Sequence, residues 1–154
     1  MITVIQRSGR ARVWVEGEVV GQIGHGLVAL VCAVRGDGPQ QARRLAERVL
    51  GYRVFPDDAG RMNASTLDRA CGVLAVPQFT LAADTRKGMR PSFGPAADPQ
   101  TGQDQFGIFL DALHARATGP VAAGVFGADM QVELVNDGPV TFWLEAPPGP
   151  AGAV

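Results

Sequence analysis

MQVELVNDGPVTFWL, residues 130–144, places two β-prone runs on either side of Asn136-Asp137-Gly138-Pro139. The run 130–135 alternates like a strand, and the run 140–144 follows at once. Proline donates no backbone hydrogen bond and fits poorly inside a sheet, while glycine weakens a strand by its freedom. The interruption has two readings. It is a turn or edge bulge, or its backbone presents main-chain carbonyls into a pocket, which the missing Cβ of glycine permits.

Outward from this stretch the chain is rich in further strands. Residues 2–6 form a short one, and ARVWVEGEVVGQIGHGLVALVCAV, residues 11–34, reads as several separated by glycine turns. Val13 and Val15 alternate with Trp14, Glu16-Gly17-Glu18 makes a turn, and the runs 19–23 and 27–34 continue. The run 27–34 is apolar on both faces, which predicts a central strand. Residues 52–55, 72–76 and 121–126 are also strand-like, with a polar loop running through Asn63. Only two helices are predicted. DGPQQARRLAERVLG has Asp37 or Gly38 as its cap, Pro39 in its first turn and Gly51 at its end; Ala42, Leu45, Ala46 and Val49 form the buried stripe. The second helix starts near Asp98-Pro99 and runs to about Ala117, with Phe106, Phe109, Leu110 and Leu113 facing inward. Many strands and two helices, outside a βαβ alternation, predict an α+β fold with mostly antiparallel or mixed sheets.

A chain of 154 residues suits one domain with a real core. Hydrophobic content of 46% and charged content of 19% describe an ordinary soluble globule. The formal net charge of -1 excludes gripping a long phosphate backbone or an anionic membrane by bulk charge, though not RNA held at one end. Arg7, Arg10 and Arg12 interrupt the start before any leader-length apolar run, and no segment reaches membrane-span length. Cys32 and Cys71 lie in apolar runs and are expected as buried free thiols, which suits a cytoplasmic enzyme. His25 and His114 stand in unrelated contexts, a turn and a helix surface, so no metal site and no cofactor are expected.

Residues 77–81, PQFTL, leave a buried strand and enter a loop carrying Arg86, Lys87 and Arg90. Gln78 brings amide donors and an acceptor, Phe79 a stacking surface and Thr80 a hydroxyl. Alone, the triplet also reads as a strand end with a core phenylalanine. Thr80 as nucleophile needs a base, and no histidine is near it in sequence. Arg43, Arg44 and Arg48 read as solvated helix surface, whereas Arg7 and Arg90 suit anion or carbonyl contacts.

VIQR at 4–7, ERVLGYRVF at 47–55, QFTLAADTRKGMRPSF at 78–93 and ADMQVELVNDGPVTFWL at 128–144 together resemble the D-aminoacyl-tRNA deacylases, the D-tyrosyl-tRNA deacylase family. The resemblance runs from Met1 to about Leu144. Of that family's two signature elements, Asn-x-Gly-Pro-x-Thr is complete at 136–141, whereas Ser-Gln-Phe-Thr-Leu has Pro77 in the serine position. A sister group with looser chiral selection also has Pro-Gln but carries alanine where Phe79 stands.

The resemblance implies a single deacylase domain at 1–145, with a barrel-like core and two main helices, and a flexible Pro/Gly/Ala-rich tail at 146–154. It implies a cytoplasmic enzyme of translation quality control that needs no cofactor or metal. Its substrate would be the ester of D-aminoacyl-tRNA, with mischarged glycyl-tRNA as a further one. The implied assembly is a homodimer in which a cis Gly-Pro of one subunit enters the other's pocket. The implied catalytic set is Gln78, Phe79 and Thr80, and the implied substrate-binding and chiral-selection set is Gly138, Pro139, Arg7, Pro77 and Met130. Water activation would be assisted by the tRNA 2′-hydroxyl. Two rivals stand beside this: a sister-type deacylase of L-residues mischarged on tRNA, and a non-catalytic tRNA-binding module.

Overall fold

The computed structural model describes residues 1–147. Its frame is a mixed six-stranded sheet. β1 (Ile2–Val15) pairs antiparallel with β2 (Glu18–Ile23), β3 (Gly26–Cys32) and β8 (Gln131–Glu145). β3 then pairs parallel with β6 (Gly72–Pro77), and β6 parallel with β7 (Val121–Ala123). The order β2–β1–β3–β6–β7 curls until its ends approach each other. At Gly21 of β2 an added Cβ would lie 2.6 Å from the Ala123 carbonyl oxygen of β7, so the near-closure of this barrel requires glycine there.

Both faces of β3 and β6 are covered, for different reasons. Leu27, Ala29, Val31, Val73 and Ala75 meet α1 (Pro39–Gly51) and α3 (Pro99–Arg116), packing with Leu45, Val49, Phe109 and Leu113. The alternate residues Val28, Leu74 and Val76 fill the barrel interior with Val13 and Ile23. The two-sided apolar run at 27–34 is thus a central strand, as its pattern predicts.

The two predicted helices form at their expected places, and they serve as the crossovers between parallel strands, β3 to β6 and β6 to β7. The sequence pattern did not show this alternation, because β4 (Phe55–Pro56), β5 (Met62–Ala64) and a short α2 (Thr66–Arg69) lie between β3 and β6. β4 and β5 pair with each other alone. They replace the predicted strand at 52–55 and part of the predicted loop through Asn63. α2 is a third helix that sequence reading missed, although Ser65 and Asp68 form its capping box, with the Asp68 carboxylate accepting from the Ser65 N–H at 2.8 Å. Gly38 is the cap of α1, its N–H donating to Gln41 Oε1 at 2.9 Å. Asp37 is committed elsewhere, accepting from the Val34 N–H and the Met1 ammonium, each at 2.7 Å.

Three differences concern the long strands. Residues 2–15 are one 14-residue strand instead of two, because β8 pairs along its whole length. Residues 121–126 yield only three residues of strand. Most consequential, Gly138-Pro139 does not separate two strands: β8 runs through it as a 15-residue strand. The pairing skips from Gln6–Thr141 to Ser8–Asn136, so Arg7 alone stands opposite Asp137, Gly138, Pro139 and Val140. The element is an enlarged bulge of four residues opposite one, and a bulge is a form in which a sheet tolerates proline. Beyond it, Ala146 is buried and donates its N–H to the Met1 carbonyl at 2.8 Å. The remainder of the tail, 148–154, lies outside the described residues. No helix among the described residues is long and apolar enough to cross a membrane.

Candidate active site

β6 leaves the core at Pro77 and becomes a single 3-10 turn, Phe79–Ala82. The Gln78 N–H donates to Val31 O at 2.8 Å, which ties the start of the turn to the end of β3. Within the turn, Leu81 N–H donates to Gln78 O and Ala83 N–H to Thr80 O. The amides of Phe79 and Thr80, first in the turn, have no acceptor within it, as at any helical N-terminus. Gln78 Nε2 donates to Thr80 Oγ1 at 2.5 Å, so the threonine oxygen is already an acceptor. Phe79 is 58% exposed, which removes the reading of it as a core residue. Its ring meets Phe93 edge-on at 5.0 Å.

Two cavities share this turn as a wall. One, of about 270 Å³, is enclosed by Val31, Cys32, Phe106 and Phe126 together with Gln78 and Phe79. The other, of about 260 Å³, is bounded by Pro77, Met130 and Val132 and again by Gln78, Phe79, Phe126 and Gly127. The ionisable side chains on these walls are Cys32 and Asp98. Burial pushes the Cys32 thiol up to about 11, so at neutral pH it is not a thiolate. The Asp98 carboxyl is held below its ordinary value because it accepts the Thr101 N–H at the start of α3. That makes it a poor base. Neither group has the pKa of a nucleophile or general base at pH 7. Both described cysteines are buried and free.

A second cluster forms at the β8 bulge. Arg7 Nε donates to Asp137 O at 3.0 Å and Nη1 to Val54 O at 2.7 Å, and Nε lies 3.2 Å from Asp137 Oδ2. Asn136 Oδ1 accepts the Val140 N–H at 3.0 Å, and Asn136 Nδ2 donates to Thr141 Oγ1, also at 3.0 Å. Gln6 Nε2 donates to the same hydroxyl at 3.2 Å. The motif residues therefore fasten both ends of the bulge, and Gly138 and Pro139 stand exposed at its crest. Their peptide bond is cis, and Gly138 has φ 142. His25 stands beside the bulge, with Nε2 3.8 Å from Asp137 Oδ2 and its ring edge-on to Phe55.

The structure thus brings Pro77, Gln78, Phe79 and Met130 together around the cavities, with Thr80 bonded to Gln78 on the same turn. It brings Arg7, Gly138 and Pro139 together at the bulge, and none of these three lines either cavity. Arg7 fastens the Asp137 carbonyl, not those of Gly138 and Pro139. Sequence reading missed Phe126 and Gly127, which belong to both cavities, and it assigned Phe106 to the core alone. An aromatic flanked by glycines just beyond a strand end was the available signal for Phe126.

The family model described as D-Tyr-tRNA(Tyr) deacylase matches residues 4–145. The chain belongs to that family. A protein of Halorhodospira halophila named D-aminoacyl-tRNA deacylase is 82% identical over the whole of both chains. One of the same name from Alkalilimnicola ehrlichii is 62% identical over 98% of this chain and 100% of that one. Among solved structures, the c-Myc DNA unwinding element binding protein superposes with a TM-score of 0.90 at 36% identity, covering 96% of this chain and 99% of that one. A probable eukaryotic D-amino acid tRNA deacylase superposes with a TM-score of 0.78 at 16% identity, covering 94% and 98%, a likeness of fold.

Proposed function

We propose that this protein is a D-aminoacyl-tRNA deacylase: it hydrolyses the ester joining a D-amino acid to the 3′-terminal adenosine of tRNA, with glycyl-tRNA as a further substrate. One observation carries this beyond family membership. The paired cavities share as a wall an exposed aromatic ring, on a turn whose first two amides have no acceptor within it, and their walls present no side chain poised as nucleophile or base at pH 7. Such a wall suits an ester that is already activated, where the catalyst supplies position and a home for developing negative charge.

In this reading Phe79 stacks on the terminal adenosine, a contact of about 1–3 kcal/mol. The Phe79 and Thr80 amides face the oxyanion. The 2′-hydroxyl vicinal to the ester helps to activate water. The Gly138-Pro139 crest belongs to the pocket of a second subunit in a homodimer; it is exposed and lines neither of the two cavities at the Phe79 turn of its own chain. There its main-chain carbonyls hold the amino group of a D-residue and leave no room for an L side chain. Selection by clash leaves the D side chain itself unread, so many amino acids are accepted. Arg7 and Asn136 keep that crest in place.

The test is a paired assay with one tRNA charged with D- and L-forms of the same amino acid. Hydrolysis of the D-ester in strong preference to the L-ester is expected. Equal rates would overturn the selection by Gly138-Pro139, an L-preference would make the protein a sister-type deacylase, and binding without turnover would make it a non-catalytic module.

Thr80→Ala separates positioning from covalent catalysis. Thr80 Oγ1 is an acceptor for Gln78 and has no histidine as a bonded partner among the described residues. The variant is expected to retain kcat within about tenfold, since a positioned side-chain bond is what it loses. A loss beyond about 10³-fold with unchanged substrate binding would instead assign Thr80 as a nucleophile.

A further inference from the structure

The turn that carries Phe79 runs straight into a loop that neither cavity uses. Residues 84–92 are pinched at the base, where Asp84 N–H donates to Ser92 O at 2.7 Å and Ser92 N–H to Asp84 O at 3.1 Å. Phe93 follows at once and meets Phe79, so the loop is mounted on the exposed aromatic pair. Beyond the pinch the chain makes no apolar commitment: Met89 is fully exposed and Gly88 has φ 69.

What the loop does present is positive charge. Arg86, Lys87 and Arg90 are all exposed, against the single carboxylate of Asp84, in a chain whose net charge is -1. Asp84 acts as a brace. It accepts from the Arg86 N–H at 3.0 Å and binds the guanidinium through Nε at 2.9 Å and Nη2 at 2.7 Å. These bonds fix the direction of Arg86 while its side chain stays 87% exposed. Lys87 and Arg90 have no side-chain partner among the described residues. Lys87 is also the only lysine in the sequence.

We propose that loop 84–92 is a phosphate grip for the single-stranded 3′ end of tRNA, contacting the backbone just before the adenosine held at Phe79. This rests on the deacylase reading and adds to it a second contact surface. The physical logic is that of single-strand binders, which combine an aromatic platform with cations that follow the backbone. A planar guanidinium with free N–H groups and a mobile ammonium are the two side chains suited to phosphate oxygens. Localised charge on a neutral body gives grip at one end without bulk attraction to nucleic acid.

Salt dependence measures such contacts directly. Each neutralised phosphate of a single strand adds about 0.7 to the magnitude of the slope of log K against log salt, so three cations give a slope near -2 for deacylated tRNA. The variant Lys87→Gln/Arg90→Gln is expected to flatten the slope by about 1.4 and to weaken binding at 0.1 M salt by about 25-fold. Arg43→Gln/Arg44→Gln, at two exposed arginines on α1, serves as the charge-matched control and is expected to leave the slope unchanged. In parallel, bound tRNA is expected to protect Lys87 from amine-acylating reagent, read by mass spectrometry.

The kinetic arm compares D-aminoacyl-tRNA with D-aminoacyl-adenosine, which has no phosphate. The double variant is expected to lose kcat/KM on the first substrate and to match wild type on the second. An unchanged salt slope, unprotected Lys87, or equal losses on both substrates would each overturn the grip. Failure of the deacylase reading looks different: wild type itself would then cleave neither ester.

Discussion

Gly138→Ala is expected to lower kcat/KM for D-aminoacyl-tRNA by about a hundredfold, the loss that follows when a positioning element shifts by about an ångström. Sequence reasoning alone would place the added methyl in the space facing the ligand. The structure puts the trouble inside the chain. A Cβ at this position would lie 2.6 Å from Val140 Cγ2 and 2.8 Å from Val140 N, and φ 142 is a conformation that L-residues other than glycine rarely adopt. Val140 cannot simply withdraw, because it is buried and its N–H is held by Asn136. The crest must therefore move. Gly138 is itself exposed, so the fold is expected to survive with little change in thermal midpoint while D-over-L selectivity falls.

Mixing decides whether the crest acts across subunits. In the proposed homodimer, the Phe79→Ala and Gly138→Ala variants are each expected to be weakly active on their own. After subunit exchange, a mixed dimer has one site built from the intact cavity of one subunit and the intact crest of the other, so about a quarter of sites recover if the symmetric dimer works in trans. If the crest served its own chain, no mixture would recover. Wild-type rates and selectivity in Gly138→Ala would remove Gly138 from the mechanism altogether.

How much of this was legible beforehand depended on the range of the forces involved. α1 and α3 were readable because their stops and starts are local: Pro39 and Pro99 in the first turns, Asp98 accepting the Thr101 N–H, apolar residues at helical spacing. β3 and β6 were readable because burial on both faces leaves an unbroken apolar run. The bulge was not, because what holds β8 in register across Gly138-Pro139 is pairing with β1, more than a hundred residues away, and a guanidinium from that strand. The motif marked the residues, but only the fold shows that they form a crest instead of a turn. Likewise Phe79 could be named, yet its exposure and its cavities depend on Phe93, Phe106 and Phe126 arriving from elsewhere. The barrel closure at Gly21 and Ala123 has no local sign at all.

The other large effect is expected from a change to the substrate. D-aminoacyl-tRNA ending in 2′-deoxyadenosine, charged through its 3′-oxygen, is expected to be hydrolysed about 10²–10⁴-fold more slowly than the natural ester, the range that a positioned proton-transfer group supplies. The cavity walls offer no side chain suited to that proton transfer. A water attacking an ester needs a group to take its proton, and an efficient one has a pKa near the working pH. Cys32 is pushed up to about 11 by burial, and Asp98 is held low by its bond to the Thr101 N–H. Gln78 does not titrate, and Thr80 Oγ1 is occupied by Gln78 Nε2. His25 sits by the bulge against Phe55 and Asp137, and His114 is exposed on α3. The nearest unassigned hydroxyl is then the substrate's own, vicinal to the ester and carried in with it. Single-turnover rates with saturating enzyme separate this from binding, since in the proposed site Phe79 and the turn amides would meet the deoxy ester as they would the natural one. Equal single-turnover rates would return the proton acceptor to the protein. His25, standing beside the Gly-Pro crest, would become the first residue to replace.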